Sequence, residues 1–228
     1  MRVRVVRSMI SRGSELWRRY IDESALDHEI MGYLVSGVVD KLGAGVSHLE
    51  VGDRVWAAAP HAQYIVRSAR SYEAGGALAA GAASTLGSAF GNTPLEVVKL
   101  PDDVSFEQSL FYGNLFEAVG WVQMQDIQPD DTVVVLGQGH IGSLMMQVAK
   151  ANGNGRIVAV DALPNRCALA RQLGADVVVD ASESDTVTAV REALGDDFTA
   201  EKVVYAVGGP YNGPAGECAA AVCHHVVV

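Results

Sequence analysis

Residues 132–142 constrain the fold of this chain more than any other stretch. The short β-branched run 132–136 predicts a buried strand, and glycines follow it with the spacing G-x-G-x-x-G. Beyond the loop, apolar residues recur with the period of a helix that has one buried face, at Ile141, Leu144, Met145, Val148 and Ala149. The order of strand, glycine turn and helix predicts the start of a βαβ unit.

This glycine loop is typical of a site for the pyrophosphate of a dinucleotide. Gly137 would allow the tight turn, Gly139 the close approach of backbone to phosphate, and Gly142 the close packing of helix on strand. The N–H groups at the start of the helix would face the phosphates. We therefore count His140 and Ile141, which follow Gly139, among the cofactor-binding residues.

An acidic residue after the next strand indicates which dinucleotide is bound. Residues 156–160 predict a second buried strand that ends in Asp161, 19 residues past Gly142 (161 − 142). A carboxylate about 20 residues beyond the glycines accepts hydrogen bonds from the adenosine ribose. Because Asp161 would repel a 2′-phosphate, NAD(H) is favoured over NADP(H). The alternative is an ordinary βαβ crossover with a turn-forming aspartate. Arg166 either reaches the adenosine face or is an exposed residue of the helix that Pro164 opens.

Composition excludes several classes of partner. Acidic residues outnumber basic ones 27 to 17, for a net charge of −10, so neither nucleic acid nor an anionic membrane is expected as a partner. No run approaches the roughly 18 apolar residues of a membrane span. The three cysteines, Cys167, Cys218 and Cys223, cannot all pair, and a reducing cytoplasm fits best.

The periodicity of apolar residues changes near residue 105. Short strand-like runs predict a β-rich domain over 1–104, whereas alternating helices and strands predict a parallel sheet over 105–228. In the first part the runs lie near Val3 and Val5 and at Leu34–Leu42, Arg54–Ala59 and Gln63–Arg67. In the second part, Ser105 and Gln108 predict a capping box, strands are expected at 132–136, 157–161, 176–180 and 202–207, and helices end at Gly153, Gly174 and Gly195.

Two segments do not fit this regular pattern. Residues 71–94 are rich in glycine and alanine, which predicts a flexible insertion, a lid or a mobile linker. After the fourth predicted strand no further strand–helix–strand pattern follows, so the sheet is expected to be incomplete at its C-terminal end. Either the tail or a partner covers the edge of the fourth strand, or the chain is a truncated product. Residues 226–228 are a candidate fifth strand.

Four segments in the same order resemble the medium-chain dehydrogenase/reductase superfamily. They are Ile10–Glu15, Gly32–Val39, Val51–Val55 and Gly137–Gly142. Within that family, residues 32–37 and 59–64 look most like the branch that contains bacteriochlorophyllide a hydroxyethyl dehydrogenase. The resemblance implies a GroES-like catalytic domain, then a Rossmann domain, with hydride transfer in the cleft between them. It also implies a small-molecule substrate and is compatible with a homodimer.

The zinc ligands of that family are not matched here. The register places Arg12 where a cysteine would stand, Tyr33-Leu34 where a His-Glu pair would stand, and Gly113 near the third ligand. Arginine and glycine side chains do not bind zinc. His28-Glu29 precedes the motif glycine and is out of register, and the residues 218, 223, 224 and 225 match no standard metal site. We therefore expect an enzyme without zinc.

Without a metal, another group must stabilise charge on a substrate oxygen. Tyr33 and His61 are the catalytic candidates, on opposite strands of the front domain if the family fold holds. A neutral histidine relays protons near pH 7, and a tyrosine hydroxyl donates a hydrogen bond. In the structural alternative, His61 is a turn residue beside Pro60 and Tyr33 simply packs. Ser11 and Glu15 are weaker candidates for the same cleft.

Two functions remain open at the level of sequence. The first is a zinc-independent, NAD(H)-dependent oxidoreductase that transfers hydride to or from a secondary alcohol/ketone or an activated alkene. The second is a truncated, inactive relative that binds the adenosine half of NAD or acts as an interaction module. The order of the motifs favours the first function, and the missing strands favour the second.

Overall fold

The computed structural model describes residues 1–13, 15, 31–68, 97–153, 155–183, 185–195, 200–208, 213–223 and 226–227. The chain divides into two compact units, Met1–Gly113 and Asn114–Val228. The insertion predicted at 71–94 lies outside the described residues, as does His28-Glu29.

The first unit contains a five-stranded antiparallel sheet. Its strands are β1 (Arg2–Met9), β2 (Leu34–Lys41), β3 (Arg54–Ala58), β4 (Tyr64–Val66) and β5 (Val97–Lys99), in the order β4-β1-β2-β3-β5. One face packs over a core of small aliphatic side chains that includes Val3, Val35 and Val55. We did not predict β5, because three residues are too few to show a period.

A short helix, α1 (Phe106–Ser109), belongs to the first unit. The predicted capping box is present: the Gln108 N–H donates to the Ser105 hydroxyl (3.0 Å), and the Ser105 N–H donates to Gln108 Oε1 (2.8 Å). The Arg54 guanidinium lies 4.8 Å from the centroid of the Phe106 ring, which ties the helix to β3. The first compact unit ends at Gly113, so it includes α1.

The second unit is a doubly wound parallel sheet. Its strands are β6 (Thr132–Leu136), β7 (Arg156–Asp161), β8 (Val177–Asp180), β9 (Lys202–Tyr205) and β10 (Val226–Val227), in the order β10-β9-β6-β7-β8. When the five strands are numbered 1 to 5 within the unit and the sheet is read from β8 to β10, this is the order 3-2-1-4-5 of a Rossmann sheet. Four of the strands agree with the predicted ones to within two residues at each end.

The tail of the chain supplies the fifth strand. Val226 pairs with Val203 and Val227 with Val204, both in parallel register. The candidate fifth strand is therefore present at Val226–Val227. Of the alternatives for covering the edge of the fourth strand, the tail itself is the one that the structure shows.

Helices lie against both faces of this sheet. They are α2 (Tyr112–Met124), α3 (His140–Ala151), α4 (Pro164–Gln172), α5 (Thr186–Leu194) and α6 (Pro214–Val222). Alternate residues of β6 point to opposite faces, so Val133 and Val135 join one hydrophobic cluster while Val134 and Leu136 join the other. Within the described parts of the chain, no helix is both long and apolar enough to cross a membrane.

The helix ends follow the predicted glycines. Gly153, Gly174 and Gly195 have φ values of 90°, 97° and 99°, in the left-handed region that glycine adopts without strain. Each stands at the C-terminal end of a helix, as we predicted.

The start of α5 gives a pH-dependent prediction. The Asp185 carboxylate accepts hydrogen bonds from the Thr188 N–H (2.8 Å) and hydroxyl (2.7 Å), which lower the pKa of that carboxyl. A lowered folded-state pKa contributes stability that is present above the unfolded pKa of about 3.9 and lost as the pH falls through the folded pKa. We expect Asp185→Ala to lower the Tm at pH 7, and its deficit to shrink under acidic conditions. Thermal unfolding by circular dichroism measures both, and a deficit independent of pH would contradict the cap.

Candidate functional site

The turn after β6 is one that a side chain would obstruct. Gly137 has φ +91°, and a Cβ at this position would lie 2.7 Å from the carbonyl oxygen of Ala206. The Gly137 N–H donates to the carbonyl of Val160 on β7 (2.7 Å). The loop is therefore held tightly against two neighbouring strands.

The other two glycines of the loop have different environments. A Cβ on Gly142 would lie 1.8 Å from the carbonyl oxygen of Gly137, so α3 packs against the turn more closely than any side chain allows. Gly139 precedes α3 and makes no side-chain cap. The N–H groups at the start of α3 thus have no capping side chain, which is the arrangement of an anion-binding helix end. The Ile141 side chain packs into the core of the unit, which leaves its backbone for a ligand.

Asp161 lies at the end of β7, directly beside the loop. Its side chain is 6% exposed. Oδ2 accepts the Gln138 N–H (2.7 Å) and Oδ1 accepts the Leu163 N–H (2.9 Å). The carboxylate therefore connects the glycine loop to the β7–α4 turn. Sequence reasoning did not single out Gln138, whose side chain is buried and donates to the carbonyl of Val135 (3.0 Å).

Arg166 in α4 reaches the same place. Its Nη1 lies 3.3 Å from Asp161 Oδ2 and 3.8 Å from the point where a Cβ on Gly139 would stand. The side chain is 34% exposed, against 6% for its partner. The structure thus brings Arg166, Asp161 and the middle glycine of the loop together, with Arg166 a partly exposed residue of the helix that Pro164 opens.

A polar chain that we did not predict runs from the start of α3 into α2. His140 Nε2 lies 3.1 Å from Asn114 Oδ1, and Asn114 Nδ2 lies 3.4 Å from Glu117 Oε2. Burial lowers the pKa of His140, and burial raises the pKa of Glu117. The predicted cofactor residue His140 therefore has its ring anchored within the protein. In the sequence, the only indication of these contacts was that two polar residues, Asn114 and Glu117, stand in the largely apolar helix α2.

Two of the four metal-like residues, Cys218 and Cys223, lie in the described part of the chain. Among the described residues, no group of three or more His, Cys, Asp or Glu side chains could hold a metal ion. Cys218 and Cys223 are buried free thiols, and burial raises the pKa of Cys218 to about 11. A metal ligand has to be a thiolate, which this pKa disfavours. His224 and His225 lie outside the part of the chain that the structure describes.

In the first unit, the two catalytic candidates lie on adjacent chain segments. The Ala59 N–H donates to the Tyr33 carbonyl (3.1 Å), and the His61 N–H donates to the Met31 carbonyl (2.9 Å), which extends the ladder between β2 and β3. Tyr33 packs beside Leu34 and Trp56.

His61 has an ionic partner. Its Nε2 lies 3.1 Å from Glu15 Oε2, and the Glu15 side chain is 8% exposed against 27% for His61. Glu15, the weaker candidate from sequence, is therefore in direct contact with the stronger one.

Arg12, at the position of a zinc-ligating cysteine, is exposed. A Cβ on Gly113 would lie 3.1 Å from both Leu34 and Trp56, so a larger side chain would be crowded there.

Comparison with known proteins relates both units to dehydrogenases. Residues 141–220 match the family described as zinc-binding dehydrogenase. The chain is 33% identical over 180 residues to an alcohol dehydrogenase of Geobacillus stearothermophilus, covering 73% of this chain and 51% of the relative. It is 34% identical over 161 residues to a (R,R)-butanediol dehydrogenase of Bacillus subtilis, covering 70% and 46%.

Solved structures of dehydrogenases have a similar fold. The alcohol dehydrogenase TADH from Thermus sp. ATN1 superposes with a TM-score of 0.71 at 22% identity, covering 99% of this chain and 68% of that one. The chain spans about half the length of the curated relatives it matches. With its antiparallel GroES-like unit and its parallel Rossmann unit, the chain belongs to the medium-chain dehydrogenase/reductase superfamily.

Proposed function

We propose that this chain is a zinc-independent, NAD(H)-dependent oxidoreductase that transfers hydride to or from a secondary alcohol/ketone or an activated alkene. The observation that carries the proposal is the buried carboxylate of Asp161, hydrogen-bonded to the glycine loop at the end of β7. The relatives named as alcohol and butanediol dehydrogenases support an alcohol as the substrate class.

The second unit has the groups that a dinucleotide requires. The N–H groups of His140 and Ile141 would bind the pyrophosphate, next to the space that Gly139 leaves open. Asp161 would accept hydrogen bonds from the adenosine ribose, with Arg166 beside it. When bound, the nicotinamide supplies the hydride acceptor or donor. We propose NAD(H) over NADP(H), because a 2′-phosphate would meet the buried negative charge of Asp161.

Zinc independence rests on the side chains of the first unit. The match to the zinc-binding dehydrogenase family covers residues 141–220, and all of these residues lie in the second unit. The ligand positions implied by the resemblance fall in the first unit, on Arg12, Tyr33 and Gly113. None of these offers the thiolate, imidazole or carboxylate that zinc prefers.

His61 is the group that we propose to exchange a proton with the substrate oxygen, and the Tyr33 hydroxyl is proposed to donate a hydrogen bond to it. Glu15, whose Oε2 lies 3.1 Å from His61 Nε2, would hold the ring in position for this exchange. We further propose a small-molecule substrate, a homodimer and a cytoplasmic location. The net charge of −10 supports the expectation of no nucleic-acid or membrane partner.

Nucleotide titration and turnover assays test this function. We expect NADH fluorescence to report binding at least about tenfold tighter than that of NADPH, equivalent to about 1.4 kcal/mol. Turnover with a panel of secondary alcohols and enones should persist in the presence of a zinc chelator. No response to NADH would overturn the proposal, and tight binding without turnover would favour the binding module. Loss of turnover on chelation, restored by zinc, would contradict zinc independence.

A further inference from the structure

We propose that Glu15 is a positioning residue that fixes His61 in its Nε2–H tautomer and so makes Nδ1 the hydrogen-bond acceptor for a substrate hydroxyl. The pair lies entirely within the first unit. The identity of the ligand rests on the proposed function, whereas the tautomer of His61 does not.

The carboxylate of Glu15 is held from its own chain segment. Oε1 accepts the Ser11 N–H at 2.7 Å, and the Glu15 N–H donates to the Ser11 carbonyl at 2.9 Å. These two bonds leave Oε2 directed at His61 Nε2, 3.1 Å away. Because an ionised carboxylate can only accept hydrogen bonds, the hydrogen of this contact belongs to Nε2.

The imidazole ring is also held in place. Its backbone N–H is bonded to the Met31 carbonyl (2.9 Å), and the ring occupies space that Gly32 leaves empty. A Cβ on Gly32, which has φ +84°, would lie 2.6 Å from His61 Cγ. A ring flip about χ2 would place Cε1 where Nε2 stands and so break the contact with Glu15.

The other ring nitrogen is left without a partner. Nδ1 is buried and makes no hydrogen bond within the described part of the chain. In the Nε2–H tautomer this atom carries a lone pair and accepts. Buried polar atoms in folded proteins nearly always have a partner, so the partner missing at Nδ1 is a donor. A hydroxyl is such a donor and a carbonyl is not, so the neutral histidine selects the alcohol form of a substrate. The 27% exposure of the His61 side chain lies on its other atoms, so a hydroxyl reaches Nδ1 only when the atoms around it move.

Nuclear magnetic resonance of the full chain labelled with 15N-histidine tests the tautomer. The His61 signals are assigned by their absence in His61→Gln, and long-range 1H–15N correlations show which nitrogen carries the proton. We expect protonated Nε2 and unprotonated Nδ1 in the neutral state. Glu15→Ala should remove this preference, because the carboxylate that accepts the Nε2 hydrogen is then absent. Glu50→Ala, an exposed carboxylate of the same unit, is the matched control and should change nothing. A protonated Nδ1, or a preference that survives Glu15→Ala, would overturn the role of Glu15.

A pair of small ligands tests the acceptor. We expect 2,3-butanediol to shift the Nδ1 resonance of His61 and its dimethyl ether, which has no donor, to leave it unchanged. Equal shifts from both compounds, or none from the diol, would show that water satisfies Nδ1 and would overturn hydroxyl recognition. Both readings are made without nucleotide, so they are independent of the NADH titration on which the proposed function depends.

Discussion

Replacing Gly142 with alanine is expected to abolish detectable NADH binding and to lower the free energy of unfolding by about 3 kcal/mol, the upper range for overpacking a rigid site. The added methyl would lie 1.8 Å from the Gly137 carbonyl oxygen and 3.1 Å from Ala206 Cβ, so α3 has to move away from β6. That movement displaces the N–H groups proposed to bind pyrophosphate. Urea unfolding measures the first effect and fluorescence titration the second.

Gly120→Ala is the matched control, because both glycines are helical. A Cβ on Gly120 in α2 would meet nothing within 4 Å. Alanine there should stabilise the protein by up to about 1 kcal/mol through helix propensity alone, with NADH affinity unchanged. Gly142→Ala with wild-type NADH affinity would show that close packing of α3 on the loop is not needed for binding.

The second unit could be predicted from sequence because its signals are local. The strand at 132–136, the glycine loop and the helix ends at Gly153, Gly174 and Gly195 depend on periodicity and backbone freedom within a few residues. Strand β10 could be given only as a candidate, because two residues are too few to show a period. The contact of Arg54 with Phe106 joins residues 52 apart in the chain (106 − 54), which no local pattern indicates.

In the candidate site too, the local features could be predicted from sequence and the long-range contacts could not. Asp161 could be placed by its spacing from the glycines, and its contact with Gln138 follows from the parallel neighbours β6 and β7. The pairing of Glu15 with His61 joins residues 46 apart in the chain, and it depends on the space at Gly32. A lone histidine beside a proline carries no signal of that partner, so its environment had to come from tertiary structure.

Asp161→Asn is expected to weaken NADH binding by about 10- to 100-fold, the value of one or two hydrogen bonds to a charged acceptor. The change removes the charge and keeps the size of the side chain, but the amide nitrogen of asparagine cannot accept, so one of the two bonds from the Gln138 and Leu163 N–H groups is lost as well. Asp180→Asn is the matched control: Asp180 pairs in register with Asp161 at the end of the next strand, and its carboxylate is bonded to Ser182. We expect its NADH affinity to stay within about twofold of wild type. Equal losses in both variants would show that Asp161 acts only through stability.

The same variant should also reverse the preference between nucleotides, because Arg166 is bonded to Asp161 Oδ2 at 3.3 Å and is otherwise the nearest cation to the open side of Gly139. Without the Asp161 carboxylate, the Arg166 guanidinium is available to a 2′-phosphate, to which it can donate two parallel hydrogen bonds. We therefore expect Asp161→Asn to bind NADPH more tightly than wild type does, and Asp161→Asn with Arg166→Ala to lose that gain. Titrating both nucleotides into the two single variants and the double variant measures the coupling between these side chains. Additive effects would mean that the gain in NADPH affinity on removing the Asp161 charge does not depend on Arg166.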